Sequence, residues 1–210
     1  MDRFRLFAVR PARTRLNDDR YPMTLILETH QLVLRPFHQA DLATFVVYRS
    51  DPDTARYQAW DAPYSTHHAA AFLHDLQQTV PATPGAWYQL AIALKATGPM
   101  IGDCAFCLLA DDPRQAEIGF TLAPQQRGSG YATAAVARLL AYLFEKVGVH
   151  RVRASCDVEN VASATLLARV GMRREGHFRE SVWFKGRWSS EYWYAMLRQE
   201  WRQQGRMPAP

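Results

Sequence analysis

The chain has 210 residues, 48% of them hydrophobic, with 25 Lys and Arg against 20 Asp and Glu and a net charge of +5. This suits one folded domain. No apolar run reaches the ~18–20 residues that cross a bilayer, and no apolar segment with a small-residue cleavage site opens the chain. A membrane span and secretion are therefore not indicated, and a cytoplasmic location is expected.

Residues 1–22 have no periodicity and read as a basic extension. Six arginines (Arg3, Arg5, Arg10, Arg13, Arg15 and Arg20) face three aspartates there and supply +3 of the charge. The rest is nearly balanced, so a nucleic-acid partner is not compelled. Leu32–Phe37 then reads as a strand, and Ala40–Tyr48 as a helix. Ser65 can cap a second helix over residues 66–79, which stops before Pro81. Pro81–Gly85 is a loop.

Trp87–Leu94 and Met100–Leu109 read as a strand pair joined by Thr97-Gly98-Pro99. Asp111-Asp112-Pro113 turns into a further strand, Glu117–Leu122. A glycine-bearing turn, Gln125-Gln126-Arg127-Gly128-Ser129-Gly130-Tyr131-Ala132, comes next. It opens a helix whose apolar residues, from Ala132 and Ala135 to Phe144 and Val147, recur at helical spacing. Val152–Cys156 is another strand, and Asp157–Ser163 leads into another helix that ends at Val170-Gly171-Met172. Arg173–Val182 and Glu191–Leu197 form a hairpin around Lys185-Gly186. Helices before the strands, followed by strand–helix alternation, indicate an α/β fold with a mixed sheet.

Cys104, Cys107 and Cys156 leave at least one thiol unpaired, which suits a reducing compartment. Cys104 and Cys107 sit on a strand with no second ligand pair at zinc spacing, so no metal is expected. They read as core residues.

The turn at residues 125–132 carries the chemistry. Two glycines let backbone approach a ligand, and a helix N-terminus presents unpaired N–H groups to an anion. No Gly-Lys-Ser/Thr follows, which excludes a Walker A loop. Thr133 stands where a dinucleotide fingerprint needs its third glycine. Gln125, Gly128 and Gly130 instead fill Gln/Arg-x-x-Gly-x-Gly/Ala in order. This resembles the pyrophosphate motif of the GCN5-related N-acetyltransferases (GNAT).

Three further blocks are similar to that family. They are Leu32–Phe37 with Asp41, then Asn160-x-x-Ser163 followed by Gly171-Met172 and Glu175-Gly176, and the tail Trp183–Trp188 with Tyr192, Tyr194 and Glu200-Trp201. The tail resembles the branch that acetylates the N-termini of ribosomal proteins (RimJ/RimL-like). The resemblance implies a domain over residues 23–203, followed by a tail at 204–210. It also implies a mostly antiparallel, twisted sheet of about six to seven strands with splayed central strands, flanked by helices. Met23 stands where such domains begin, so residues 1–22 are expected to follow a misassigned start or to be a basic arm.

By the same resemblance the chain uses acetyl-CoA and no metal to acetylate a primary amine, either a small molecule or a protein N-terminus. Phe120, Thr121 and Leu122 are expected to meet the pantetheine arm. Gln125, Gln126, Arg127, Gly128, Ser129, Gly130, Tyr131 and Ala132 are expected to cradle the diphosphate, with Asn160 and Ser163 nearby. Acetyl transfer needs a base for the amine proton, a polarised carbonyl and a gripped donor. Glu117 is the first candidate base; its plainer reading is a structural partner of an arginine. His177 and Glu180 are secondary candidates.

Ser163 is the candidate near the leaving thiolate, since Leu167 stands where many relatives carry tyrosine. Its plainer reading is helix capping. The acceptor groove is expected from Arg56, Tyr57, Trp60, Asp61, Tyr64, Trp183, Phe184 and Trp188. A non-catalytic acetyl-CoA-binding sensor is the alternative reading, and a homodimer is compatible with the aromatic tail.

Overall fold

The computed structural model describes residues 25–205; the basic extension expected at residues 1–22, and all but the first two residues of the tail expected at 204–210, lie outside them. Strands β1 (Leu27–Glu28) and β2 (Leu32–Arg35) pair antiparallel. In β2, buried Leu32 and Leu34 alternate with partly exposed Val33 and Arg35, the two-residue period of a strand with one face in the core.

Three helices follow, each with an identifiable start. Helix α1 (Leu42–Arg49) is entered through a 3-10 turn at Gln39–Asp41. The Asp41 carboxylate accepts the His38 N–H at 2.7 Å and both Arg35 guanidinium nitrogens at 2.7 and 2.9 Å. In α2 (Pro52–Ala55), Asp51 accepts from the Thr54 N–H at 2.7 Å, and Pro52 takes the first helical position, where no N–H is needed. Ser65 caps α3 (Thr66–Gln77) by accepting from the His68 N–H at 3.1 Å, as its sequence predicts. Helix α2 has too few residues to leave a periodic signal, and the sequence does not reveal it.

Strands β3 (Trp87–Leu94), β4 (Met100–Leu108) and β5 (Gln115–Leu122) form an antiparallel meander. Helix α4 (Tyr131–Ala141) continues as a π-helical stretch, Tyr142–Val147, that ends at Gly148 with φ 81°. Strand β6 (Arg151–Asp157), α5 (Val161–Arg169), β7 (Arg173–Phe184), β8 (Arg187–Leu197) and α6 (Arg198–Gln203) complete the chain. Lys185 and Gly186 both have positive φ, 47° and 79°. Such a two-residue turn matches the twist of the hairpin it joins.

The sheet has eight strands in the order β1-β2-β3-β4-β5-β6-β8-β7, one more than the upper expectation. All neighbours are antiparallel except β5 and β6. Helix α4, its π-helical continuation and α5 contribute Leu139, Leu143 and Leu167 to a core with Leu90, Phe106, Ile118 and Val152 on one sheet face. A second cluster, with Phe45, Tyr48, Phe72 and Leu73, packs α1 and α3 over Ala91 on the other. There the buried Asp103 carboxylate accepts from the Tyr48 hydroxyl and the Gln89 amide, tying α1 to β3 and β4.

Candidate active site

Strands β5 and β6 pair at only three positions, ending with Glu117 opposite Arg153. Beyond that pair β5 continues along β4 to Leu122, and β6 continues along β8 to Asp157. The expected splay is therefore present, and its apex is Glu117. Hydrogen bonds from the Leu109 N–H to the Gln115 carbonyl (3.0 Å) and from the Ala123 N–H to the Ile101 carbonyl (2.9 Å) set the phase of β5. Odd-numbered residues turn their backbone groups to β4, so Ile118, Phe120 and Leu122 turn theirs to the gap. Thr121 thus faces β4 with its backbone, and its side chain is buried.

Two clefts meet in this gap. A tight one, about 110 Å³, runs from Glu117 to Phe120 on one wall and from Ala154 to Asp157 on the other. An open groove of about 730 Å³ continues over Phe120–Leu122, Arg127, Gly128 and Gly130–Thr133. Tyr57, Gln58, Phe120, Asn160 and Ser163 border both.

The groove floor is the predicted cradle. Gly128 and Gly130 have φ of 84° and 80°, and Gly130 is the N-cap of α4, where no side chain caps the helix. A Cβ at either glycine would meet nothing within 4 Å. The left-handed backbone is what requires glycine here, and it leaves the space above the α4 N-terminus open to an anion. Gln125 and Gln126 form the preceding 3-10 turn with Pro124, and they and Ser129 shape the loop without lining the groove.

Across the groove, Asn160 caps α5 by accepting from the Ser163 N–H at 3.1 Å. Its side-chain oxygen is thus committed to the helix, while Ser163 lines both clefts.

Glu117 lines the tight cleft and is ion-paired: its Oε2 is 2.9 Å from Arg153 Nε and 2.8 Å from Nη2. The arginine partner of the plainer reading is present, and the same carboxylate faces the cleft. His177 packs edge-on against Tyr192, with ring centroids 4.9 Å apart. Glu180 sits in a bulge with φ 43°. Neither lines a cleft with Glu117.

Of the expected acceptor aromatics, Tyr57 and Phe184 border the tight cleft. Trp60 and Tyr64 pack around the buried Arg49 guanidinium, 3.8 and 5.2 Å from their ring centroids, and belong to the core side. Trp183 and Trp188 pack edge-on against each other on the exposed hairpin. The three cysteines are free and buried. Burial, then the neighbouring carboxylates of Asp157 and Glu191, push the Cys156 thiol up to about 12.

The sequence did not disclose that residues 51–61 bridge the cleft. Arg127 donates to Thr54 Oγ1 at 2.7 Å from the cradle side. Arg56 donates to Glu159 at 3.1 Å from the α5 side, and Arg187 grips the same carboxylate at 2.9 and 3.1 Å. Lys185 Nζ donates to the carbonyls of Ala55 (2.9 Å) and Trp60 (2.6 Å) from the β7–β8 turn. Each contact made by residues 51–61 joins positions more than 70 apart, so no local pattern signals it.

A family model for the acetyltransferase (GNAT) domain matches residues 31–173. YnaD of Bacillus subtilis, named as an N-acetyltransferase, is 28% identical over 179 residues, spanning 83% of this chain and 98% of YnaD. A GNAT-family acetyltransferase of Bacillus anthracis superposes with a TM-score of 0.75 at 26% identity, covering 83% of this chain and 99% of its own. Mycobacterium smegmatis RimJ, solved with CoA-disulfide, shares the fold with a TM-score of 0.68 at 23% identity, covering 87% and 94%. The split sheet, the glycine cradle at its mouth and the family match over most of the chain place this protein among the GNAT N-acetyltransferases.

Proposed function

We propose that the protein transfers the acetyl group of acetyl-CoA directly to a primary amine held in the tight cleft. The carrying observation is the junction of two clefts at the point where β5 parts from β6. The diphosphate of the donor fits the open groove, where Gly128, Gly130 and the uncapped start of α4 present backbone N–H groups. The pantetheine arm lies along the gap-facing backbone of Phe120 and Leu122. Gripping the donor so far from the reacting carbon converts binding energy into orientation.

In the transfer step the amine nitrogen bonds to the thioester carbonyl carbon, and the carbon–sulfur bond breaks. A gap-facing N–H of Ile118 or Phe120 accommodates the charge that develops on the carbonyl oxygen. Glu117 accepts the proton that the amine loses, and Arg153 holds that carboxylate in place. Ser163 hydrogen-bonds the departing thiolate, and the proton held on Glu117 passes through solvent to that sulfur, which leaves as the free thiol and returns Glu117 to the carboxylate. The acceptor is a small-molecule amine or a protein N-terminus.

The test is acetyl-CoA-dependent thiol release over a panel of amines and short peptides, with acetyl-CoA binding followed by calorimetry. Thiol release with one acceptor class is the expected result. Binding without turnover on every acceptor would favour a sensor role, and no binding would remove the assignment of the cradle.

A further inference from the structure

We propose that the tight cleft contains a second recognition point, formed by Asp157, Ser189 and Glu191, for a protonated amino group of the acceptor other than the one that reacts. This rests on the acetyl-transfer reading above. Asp157 on β6 and Glu191 on β8 are direct partners across the antiparallel ladder, so both side chains rise from the same face. Ser189 lies two residues before Glu191 on β8 and shares that face. All three line the cleft.

Two carboxylates directly opposed in a ladder repel each other, so the arrangement favours a cation between them. Ser189 points to the same ligand independently. It is 6% exposed, and its Oγ is buried without a hydrogen-bond partner. A buried hydroxyl in that state is costly, and a donor entering the cleft would satisfy it.

The contacts of Asp157 leave acceptor capacity. Asp157 accepts from the Glu159 N–H at 2.8 Å and lies 3.9 Å from Arg187, whose guanidinium is committed to Glu159. Glu191 accepts from Trp193 Nε1 at 3.2 Å. A carboxylate offers roughly four lone-pair sites. An ammonium brings three donors and no acceptor, which matches two carboxylates and a hydroxyl. The raised Cys156 thiol, after burial, reports the field of the same two carboxylates.

The second ammonium can belong to a small diamine or to the side chain of a basic residue beside a peptide N-terminus. The test is kcat/KM of the full chain at saturating acetyl-CoA for two matched pairs. One pair is butane-1,4-diamine against butylamine; the other is Ala-Lys amide against Ala-norleucine amide. The doubly charged member of one pair is expected to be preferred by about tenfold or more, and the pair that responds identifies the source.

Ser189→Ala and Asp157→Asn should each move that preference toward one. Ser189→Ala removes a single oxygen, so it reports on the subsite even where Asp157→Asn disturbs the turn into α5. Equal efficiency within both pairs, or a preference that both variants leave intact, would overturn the subsite alone. No thiol release with any of the four compounds would instead overturn the acetyl-transfer reading.

Discussion

Glu117 and Arg153 are the last residues at which β5 and β6 are paired, and their side chains close an ion pair of 2.8 Å at that point. The carboxylate thereby marks the apex of the cleft and is held in one orientation. Glu117→Gln keeps the shape and removes the proposed proton acceptor. We predict that kcat falls by about 100-fold or more, with the pH dependence of kcat/KM changed in shape and acetyl-CoA affinity kept. Steady-state kinetics across pH and calorimetry together check this; unchanged rates at every pH would take Glu117 out of the mechanism.

The cradle makes a different prediction. Gly130 has φ 80° in open space, so Gly130→Ala introduces backbone strain without a steric clash. The strain costs about 1–2 kcal/mol for an L-residue, and relief would tilt the first N–H groups of α4. The expected signature is a raised KM for acetyl-CoA, at least several-fold, with the acceptor KM little changed. Initial-rate kinetics with each substrate varied in turn would show it.

Asn160 and Ser163 separate by readout, although one caps the other. Asn160→Ala removes a cap and should cost about 1 kcal/mol of stability, seen as a lower urea midpoint. Ser163→Ala leaves the cap bond, which uses the Ser163 N–H. Its expected effect is on kcat, with the urea midpoint held. A kcat equal to wild type would reduce Ser163 to a helix residue.

Asp41 gives the pH dependence of stability. Burial pushes its carboxyl up, but the hydrogen bonds from Arg35 and from the His38 N–H outweigh this and hold it below the ordinary carboxylate range. A lowered folded-state pKa means stability that is present above the unfolded pKa and lost as pH falls through the folded one. Asp41→Asn is therefore expected to cost about 2 kcal/mol near neutrality, and the gap to wild type should narrow as pH drops below the ordinary carboxylate range. Urea unfolding at two pH values measures it.

Much of this architecture was legible because it is written in local periods. Strand β3 has the predicted bounds, Trp87–Leu94, and Ser65 caps α3 as expected. The glycines of the cradle were readable because positive φ restricts residue choice. What stayed hidden depends on distant pairs. The Arg153 partner of Glu117 is 36 positions away, and the Lys185 contact to Ala55 spans 130. Ser189 was invisible for another reason: a serine in a strand carries no signal until the neighbouring strand shows what it faces. Helix α2 is a single turn fixed by Asp51 and Pro52, too short to leave a period.

The sheet order also bears on when the protein becomes competent during synthesis. Strand β6 is joined to β5 at three residues, and its long partner is β8, the last strand made. The glycine turn lies between β5 and α4, both complete before β6 leaves the ribosome, while the opposite wall of its groove comes later, from α5. The tight cleft has to wait for the final hairpin, whose Lys185 also anchors the bridging loop. A nascent chain would thus form the glycine turn before the tight cleft is closed, and a chain cut short before residue 187 would lack the side of that cleft that Ser189 and Glu191 supply.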